Sequence, residues 1–378
     1  MHKNGRALCP FPPGSLEGTD GMVLSEHRRN QRPPSPDPHF TAVGPCPFKD
    51  INRRTDTLSV VSREDLISTT RAILSRAGYS VSSPLNMRSV CFDIVGRKKD
   101  SLLIVKILSN VDAFSRENAD EMKILAEALG ASPILIGERS SSGALEAGIV
   151  YSRFNISIIS NETLADHLLD DVPPFIFAAP GGLYVKLDSD LLKHLRETRG
   201  LSLGTLAETA GVSRRTIQMY ETGMSAMIDA AVRLEDFLNV PIIEAMDPFK
   251  YKSEHKSEEY EVSGSKRTDV QIFNVLLDIG CSVTPTTRSP FEALTRSENM
   301  IILTGLGNED DRLIHKASIV SDISRISGQH SVIIVERKSA LDNIRSTAIV
   351  TKDEIKNMDD QSELKDLVIE RSGHDEKR

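Results

Sequence analysis

The sequence predicts a mixed α/β protein in which two similar small α/β domains flank a central all-helical domain. Three observations support this fold class. Helical and strand periods of apolar residues alternate over residues 58–172 and again over residues 266–371. The second of these stretches repeats the order of signals found in the first. Between them, residues 188–248 show helical periods only, interrupted by glycine turns.

The segments outside these domains have the composition of linkers. Residues 1–57 are rich in Pro, Gly, Arg and Asn and show no period, so we expect a disordered N-terminal extension. The proline-rich stretch 173–187 and the charged stretch 249–265 are expected to be the linkers on either side of the central domain.

The first α/β domain is predicted to begin with a helix from Arg63 to Ala77. Its apolar residues lie on one face, and Gly78 ends it. Further helices are predicted at 116–129 and 162–169, and strands at 90–95, 102–107, 133–136 and 156–159. This order predicts a small domain of mixed helices and strands.

An internal repeat links the two α/β domains. In order along the chain, 74–81 is echoed by 276–283, Phe92-Asp93-Ile94 by Phe291-Glu292-Ala293, and 132–139 by 330–337. The offsets of 202, 199 and 198 residues change only by small loop gaps. We interpret this as a diverged duplication. The alternative is that any two α/β domains share glycine-capped helices and apolar strands.

Composition argues against several classes of protein. No apolar run approaches the roughly 18–20 residues that cross a bilayer, and the first residues lack the apolar core of an export signal, so we expect a soluble cytoplasmic protein. The four cysteines form no CxxC pair and the nine histidines no HxH or HExxH spacing, so we expect neither a disulfide framework nor a metal site. The run 305–308 lacks the third glycine of a dinucleotide-binding motif, and no cofactor is expected. The net charge of −8 disfavours coating of nucleic acid by bulk charge but allows a small basic surface.

The central domain is predicted to contain consecutive helices separated by tight turns. Ser202 is placed to cap the second helix, and Ser213 to cap the third. Ala207 must be small where these two helices cross, and Gly211 supplies the positive φ of the turn. The residues that set this geometry are Leu203, Leu206, Ala207, Gly211, Val212, Ile217 and Tyr220.

These residues resemble the helix-turn-helix of the Cro/C1 repressor family. The resemblance runs from residue 188 to 240 and includes Leu206-Ala207, Gly211-Val212-Ser213-Arg214 and Thr216-Ile217-x-x-Tyr220. It implies a domain that binds double-stranded DNA by placing the third helix in the major groove. Leu203 departs from the family, which often has Gln there to support a phosphate contact, and this puts one DNA contact in doubt.

The resemblance also implies which residues contact DNA. Arg214, Arg215 and Gln218 would reach base edges or nearby phosphates, and Thr216 a phosphate or a thymine methyl group. The first turns of the second and third helices can direct N–H groups at phosphates. The predicted DNA-binding residues are therefore Ser202, Thr205, Ser213, Arg214, Arg215, Thr216 and Gln218. The alternative is that the arginines are solvated charges on a protein-interaction domain.

Charge in the central domain predicts a dimer. Between Lys193 and Tyr220 five basic and two acidic residues give +3, but over 188–240 six basic and eight acidic residues give −2. One module with so few phosphate partners should bind weakly. We therefore expect a homodimer on paired half-sites roughly 34 Å apart, or a multiple of that distance.

The flanking domains raise the alternative of a metal-dependent nuclease. Asp93 on one strand and Lys106 on the next resemble the PD-(D/E)xK nuclease fold, in which two acids and a lysine bind Mg²⁺ and position water. The acid two residues before the lysine is replaced by Ile104, and in the second repeat Glu292 matches Asp93 but no strand lysine follows. We therefore expect no catalytic residues. The pair is either a lysine at a strand end near an aspartate in a half-buried strand, or the remnant of a degenerate restriction-endonuclease-like fold.

The whole arrangement resembles a group of archaeal HTH-type transcriptional regulators, in which a Cro/C1-type module sits inside a longer α/β chain. That resemblance is closest over residues 188–240 and looser outside them. It implies a cytoplasmic regulator of transcription, and we expect that the protein is not an enzyme. A small-molecule effector that acts through the repeats is compatible with this resemblance.

Overall fold

The computed structural model describes residues 62–85, 87, 90–251, 267–307, 311–336 and 341–373. The predicted disordered extension (1–57) lies outside these residues, as does all but the start of the predicted charged linker.

The first repeat is a sheet with helices on both faces. Its helices are α1 (Arg63–Arg76), α2 (Arg116–Leu129) and α3 (Asn161–Leu169), with a 3-10 turn at Val111–Ala113. Its strands are β1 (Ser80–Val81), β2 (Ile94–Lys98), β3 (Ser101–Asn110), β4 (Ser132–Ser140), β5 (Gly143–Ala144), β6 (Ile149–Arg153) and β7 (Ile156–Ile159). The strand order is β1-β2-β3-β4-β7-β6, in which β3, β4 and β7 are parallel and β5 pairs with β4.

Local sequence explains where these helices begin and end. The predicted face of α1 is buried, and Ser62 begins the helix with a capping box to Asp65. Ser115 caps α2. The helix ends at Gly130, whose φ of +63° is the left-handed conformation that glycine adopts at helix ends. The predicted strand 90–95 is the poorest match, because β2 begins only at Ile94.

The predicted linker 173–187 is instead a β-hairpin that enlarges the sheet. Strands β8 (Ile176–Ala179) and β9 (Gly182–Leu187) are antiparallel, and β8 pairs with β6 of the first repeat. Of the turn residues that suggest a linker, Pro173 and Pro174 precede β8, and Pro180 and Gly181 form the tip of the hairpin. The central domain follows with α4 (Ser189–Thr198), α5 (Leu203–Ala210), α6 (Arg214–Tyr220), β10 (Ala226–Met227), α7 (Ile228–Leu238) and β11 (Ile243–Glu244). Because β9 also pairs with β10 and β11, the central domain is joined to the first repeat through paired strands.

The second repeat has the topology of the first. Its elements are α8 (Arg267–Asp278), β12 (Ser282–Pro285), β13 (Ala293–Ser297), β14 (Met300–Gly307), α9 (Asp311–Ser327), β15 (His330–Val335), β16 (Asn343–Ile344), β17 (Thr347–Thr351), α10 (Lys352–Lys356) and α11 (Gln361–Ser372). The strand order β12-β13-β14-β15-β17-β16 matches that of the first sheet, with the parallel pairs in the same places.

Strand register confirms the two similar domains. Ile94 pairs with Val105 in the first repeat, and Ala293 pairs with Thr304 in the second, each 199 residues further on. The order of helices and strands is therefore duplicated together with the register of the sheet.

The repeats share one hydrophobic core. It contains Met122 and Leu125 of α2, Val320 and Ile323 of α9, and residues of both sheets. Polar contacts reinforce it, since the Arg97 guanidinium donates to the carbonyl of Ser327, and the Ser83 N–H donates to Asp322 Oδ2 at 2.6 Å. The two repeats therefore form one packed body.

Within the described ranges, no helix combines the length and the apolar character that crossing a bilayer requires.

Candidate nucleic-acid interface

The helices of the central domain enclose a small core of their own. Leu206, Ala207, Ile217 and Tyr220 are buried as predicted, together with Leu192 of α4. Leu203 and Val212 are half-buried and pack against this core. The predicted scaffold residues thus lie together and fix α6 on α5.

The turn between α5 and α6 has the predicted conformation. Gly211 has φ +71°, and its N–H donates to the carbonyls of Ala207 and Glu208. The N–H of Val212 donates to the carbonyl of Ala207 at 2.9 Å. A β-carbon at Gly211 would be strained and would lie 2.9 Å from Nη1 of Arg233.

The serines predicted as helix caps are caps in the structure. Ser202 Oγ accepts from the N–H of Thr205 at 3.0 Å, and Ser213 Oγ accepts from the N–H of Thr216 at 3.1 Å. Each serine hydroxyl also pairs with the hydroxyl of the same threonine, at 2.9 and 2.8 Å. These hydroxyls therefore fix the first turns of α5 and α6, and their contact with DNA stays a prediction.

The exposed surface of α6 carries its positive charge at its first turn and includes one apolar side chain, Met219, near its end. Arg214, Arg215 and Gln218 are exposed, while Ile217 and Tyr220 hold the opposite face in the core. The side chain of Arg214 lies against the first turn of α5, with its Nε 3.1 Å from where a β-carbon of Gly204 would be. Arg214 therefore lies beside the first turn of α5, while Arg215 and Gln218 are open to solvent, and contact of any of them with DNA stays a prediction.

Two of the five basic residues behind the count of +3 have hydrogen-bond partners within the domain. Arg196 is held by both oxygens of Glu221, at 2.5 and 3.0 Å, and this raises the pKa of its guanidinium. Arg199 Nη1 donates to the carbonyl of Leu238 at the end of α7, at 2.7 Å. The counted charge therefore overstates what the domain offers to phosphates, because sequence distance does not reveal these partners.

The first repeat has an acid and a lysine where the nuclease resemblance placed them. Asp93 Oδ1 accepts from Lys106 Nζ at 3.2 Å and from Arg63 Nη2 at 2.5 Å, and Oδ2 accepts from the N–H of Ile107 at 2.7 Å. Asp93 is fully buried. Ile104, at the position of the missing acid, is buried in the core shared by the repeats. Both oxygens of Asp93 are thus engaged by the protein's own donors.

The second repeat contains a comparable pair with a lysine from a different element. Glu292 Oε1 and Oε2 lie 2.6 and 2.5 Å from Nζ of Lys316, which lies on α9 and also donates to the carbonyl of Leu306 at 2.7 Å. The N–H of Leu306 donates to Oε2 of Glu292 at 2.7 Å. Sequence reasoning missed Lys316 because it searched only the strand.

A buried glutamate joins the repeats beside the first pair. Glu121 on α2 accepts from the N–H groups of Thr287 and Arg288 at 2.9 and 2.8 Å, and from the hydroxyl of Ser289 at 2.7 Å. The N–H of Cys91 in turn donates to the carbonyl of Arg288 at 2.7 Å. The loop after β12 is thereby hydrogen-bonded to the segment that directly precedes Asp93.

The cysteines in the described part of the chain are buried free thiols. Burial raises the pKa of Cys91 to about 12, with the nearby charge of Glu121 as a second cause, and burial raises the pKa of Cys281 to about 11. Both thiols therefore stay protonated near neutral pH, which makes them poor nucleophiles and poor metal ligands. The described residues also contain no group of three or more His, Cys, Asp or Glu side chains arranged to hold a metal ion.

Comparison with known protein families agrees with both parts of this architecture. A family model described as a PD-(D/E)XK superfamily domain matches residues 63–174, and one described as helix-turn-helix matches residues 192–244. No solved structure matches the chain.

Whole-length relatives are found among archaeal proteins named "Putative HTH-type transcriptional regulatory protein". The one from Methanosarcina mazei is 38% identical over 321 residues, which cover 82% of this chain and 98% of the relative. Those from Methanosarcina barkeri and Haloarcula marismortui are 37% and 36% identical, over 84% and 82% of this chain and 100% and 98% of their own lengths. The chain therefore belongs to this family of archaeal HTH-type transcriptional regulatory proteins.

Proposed function

We propose that this protein regulates transcription by inserting α6 into the major groove of duplex DNA, in the cytoplasm of its cell. The observation that carries the proposal is the surface of α6. Arg214, Arg215 and Gln218 are exposed on it, while Ile217 and Tyr220 anchor its other face to the core. A helix held in this way is a rigid support for side chains that read bases.

The dimensions of DNA and the chemistry of these side chains support this mode of binding. The major groove of B-DNA admits one α-helix. Arginine matches O6 and N7 of guanine, and glutamine matches N6 and N7 of adenine, each pair being worth about 1–3 kcal/mol of discrimination. Arg196 is paired with Glu221, and one nitrogen of the exposed Arg199 is bonded to the carbonyl of Leu238, so few cations are left for phosphates and specificity has to come largely from such pairs.

Selection of bound sequences from a pool of randomised duplexes tests this function. We expect the wild-type protein to enrich one short motif, and Arg215→Ala and Gln218→Ala to lose preference at individual base pairs of that motif. Arg76→Ala, at an exposed arginine on α1 of the first repeat, is the matched control and should leave the motif unchanged. A wild-type protein that enriches no motif would contradict the proposal.

We propose further that the protein binds as a homodimer on paired half-sites. With Arg196 and Arg199 engaged inside the domain, one module has even fewer phosphate contacts than the sequence suggested. The expected results are a dimer on a sizing column, and tight binding only when two half-sites are spaced by about 34 Å or a multiple of it. A monomer that binds one half-site tightly would refute this arrangement.

A small-molecule effector is proposed to act through the repeats. The pairing of β6 with β8 and the hydrogen bond from the Met246 N–H to the Pro174 carbonyl, at 2.7 Å, tie the central domain to the first repeat. A ligand that shifts the first repeat would therefore shift the helices that face DNA. Retention of small molecules from a cell extract by the purified protein, with a change in DNA affinity on their removal, tests this idea.

The second candidate function is a metal-dependent nuclease, which the PD-(D/E)XK domain match favours. We propose that the protein is not an enzyme. Arg63, Lys106 and the Ile107 N–H donate hydrogen bonds to the two carboxylate oxygens of Asp93, and Ile104 replaces the second acid. Incubation with plasmid DNA and Mg²⁺ or Mn²⁺ is expected to give no cutting. Cutting that disappears in Lys106→Ala would instead establish the nuclease.

A further inference from the structure

Gly204 in the first turn of α5 leaves room for the side chain of Arg214. A β-carbon on Gly204 would lie 3.1 Å from Nε, 3.2 Å from Nη2 and 3.4 Å from Cζ of Arg214. Gly204 is not among the residues with positive φ, so the backbone itself does not require glycine at this position. The missing side chain is instead what allows the guanidinium to lie against α5.

The position of its side chain gives Arg214 a different place relative to DNA from that of Arg215, the next residue on α6. In a helix-turn-helix the second helix enters the major groove, whereas the first helix crosses the sugar-phosphate backbone. Here α5 is the first helix of the pair and α6 the second. A guanidinium that lies along α5 is therefore on the side of the phosphates, although its Cα belongs to the helix that enters the groove.

We propose that Arg214 contacts a phosphate of the DNA backbone, that Gly204 is the residue that positions it there, and that base reading is left to Arg215 and Gln218. The inference rests on the proposed function, since it assigns roles within the same interface. It narrows the sequence-based expectation, in which Arg214, Arg215 and Gln218 all reach base edges or nearby phosphates.

The charge around Arg214 supports a phosphate as its partner. Arg214 is exposed, and among the described residues no carboxylate lies within ion-pair distance of it. Arg196 and Arg199, in contrast, are engaged by Glu221 and by the end of α7. The guanidinium fork presents parallel N–H donors that match two oxygens of one phosphate.

The test compares affinity, salt dependence and sequence preference of single variants. The probes are the duplex selected by the wild-type protein and a set of its single base-pair variants, measured by fluorescence anisotropy at several salt concentrations. We expect Arg214→Ala to weaken binding about tenfold on every duplex and to lower the slope of log K against log salt by about 0.9, the value for one phosphate. Arg215→Ala should instead change the ranking of the base-pair variants.

A double-mutant cycle tests the role of Gly204. Gly204→Ala should weaken binding in the wild-type background and have no further effect in Arg214→Ala, because it acts only through that guanidinium. Its thermal midpoint should be unchanged or higher, since alanine is the better helix former. This separates displacement of the arginine from damage to the fold.

The outcomes distinguish this inference from the proposed function. If the wild-type protein selects no duplex, the proposed function itself is wrong. If it selects one but Arg214→Ala alters the ranking of base-pair variants, Arg214 reads bases and the inference is overturned. The same holds if Gly204→Ala weakens binding further when Arg214 is already absent, because its effect would then not depend on the arginine.

Discussion

The Nζ atom of Lys316 lies 2.5 Å from Oε2 of Glu292 in the second repeat. This acid–lysine pair corresponds to the pair of Asp93 and Lys106 in the first repeat. The lysine comes from α9 in one repeat and from β3 in the other. Gly305 occupies the position equivalent to Lys106, 199 residues further on, and Cε of Lys316 lies 3.4 Å from where its β-carbon would be. The stem of Lys316 thus fills space beside Gly305 that a side chain there would otherwise occupy.

The two pairs should contribute differently to stability because their burial differs. The side chain of Lys106 is 8% exposed and that of Asp93 fully buried, whereas those of Lys316 and Glu292 are 23% and 32% exposed. We expect Lys106→Met to lower the free energy of unfolding by about 3 kcal/mol, because it removes one partner of a buried pair. Lys316→Met should cost about 1 kcal/mol, since water screens the second pair. Urea unfolding of both variants checks this, and equal losses would show that burial does not govern these pairs.

The contact between Glu121 and the loop after β12 should hold the repeats together. Its carboxylate accepts only from neutral donors in the described structure, among them the N–H groups of Thr287 and Arg288. Glu121→Gln places an amide donor against these donors, and we expect a loss of about 2–4 kcal/mol in unfolding free energy. Amide hydrogen exchange at Thr287 and Arg288 should also become faster. Glu127→Gln, at an exposed position on the same helix, is the control, and a loss of equal size there would point to an effect of α2 alone.

Local signals in the sequence were sufficient for the helices and their ends. The buried face of α1, the caps Ser202 and Ser213 and the positive φ of Gly211 follow from short-range chemistry that the structure shows unchanged. The duplication was also visible, because apolar strands and glycine-ended helices keep their order even where individual side chains differ.

Contacts between residues that are distant in sequence could not be predicted from those local signals. Lys316 pairs with an acid 24 residues earlier, and Glu121 with a loop more than 160 residues later, so neither pair has a spacing that a motif could specify. The prolines and glycines at 173–174 and 180–182 predict a linker over 173–187, whereas the hairpin at 176–187 depends on pairing with β6, which lies elsewhere in the chain. Tertiary pairing decided these features.

The ion pair between Glu354 and Arg371 predicts a pH dependence of stability. Hydrogen bonds from Arg371 lower the pKa of Glu354 from 4.5 to about 2, with help from the N–H and hydroxyl of Thr351. Because the folded pKa lies below the unfolded one, the contribution is complete above about pH 5 and is lost as the pH falls towards 2. The side chain is 37% exposed, so solvent screening reduces the contribution to about 1 kcal/mol.

Unfolding of Glu354→Gln at several pH values measures this contribution. The variant should be less stable than the wild type at pH 7, and the difference should shrink at pH 3 and below. Glu363→Gln, at an exposed carboxylate on α11, should show no comparable difference at either pH. A deficit of Glu354→Gln that stays constant from pH 7 to pH 2.5 would mean that the ionised carboxylate is not its cause.

The cap at Ser213 allows helix stability and DNA contact to be separated. Its hydroxyl accepts from the N–H of Thr216, and Ser213 lies exposed directly before Arg214. Ser213→Ala removes the cap and should cost about 1 kcal/mol of stability. Ser213→Asp keeps a capping oxygen and should leave stability within about 0.5 kcal/mol, because aspartate caps a helix as well as serine does.

The same Ser213→Asp change places a negative charge where α6 is proposed to meet phosphates, so we expect duplex affinity to fall about tenfold or more at low salt. Ser115→Asp, at the cap of α2, is the matched control and should leave duplex affinity unchanged. Thermal unfolding and fluorescence anisotropy on the same preparations measure the two effects. A stable Ser213→Asp protein with wild-type affinity at low salt would place the first turn of α6 away from DNA, because a carboxylate close to phosphates would weaken binding by electrostatic repulsion.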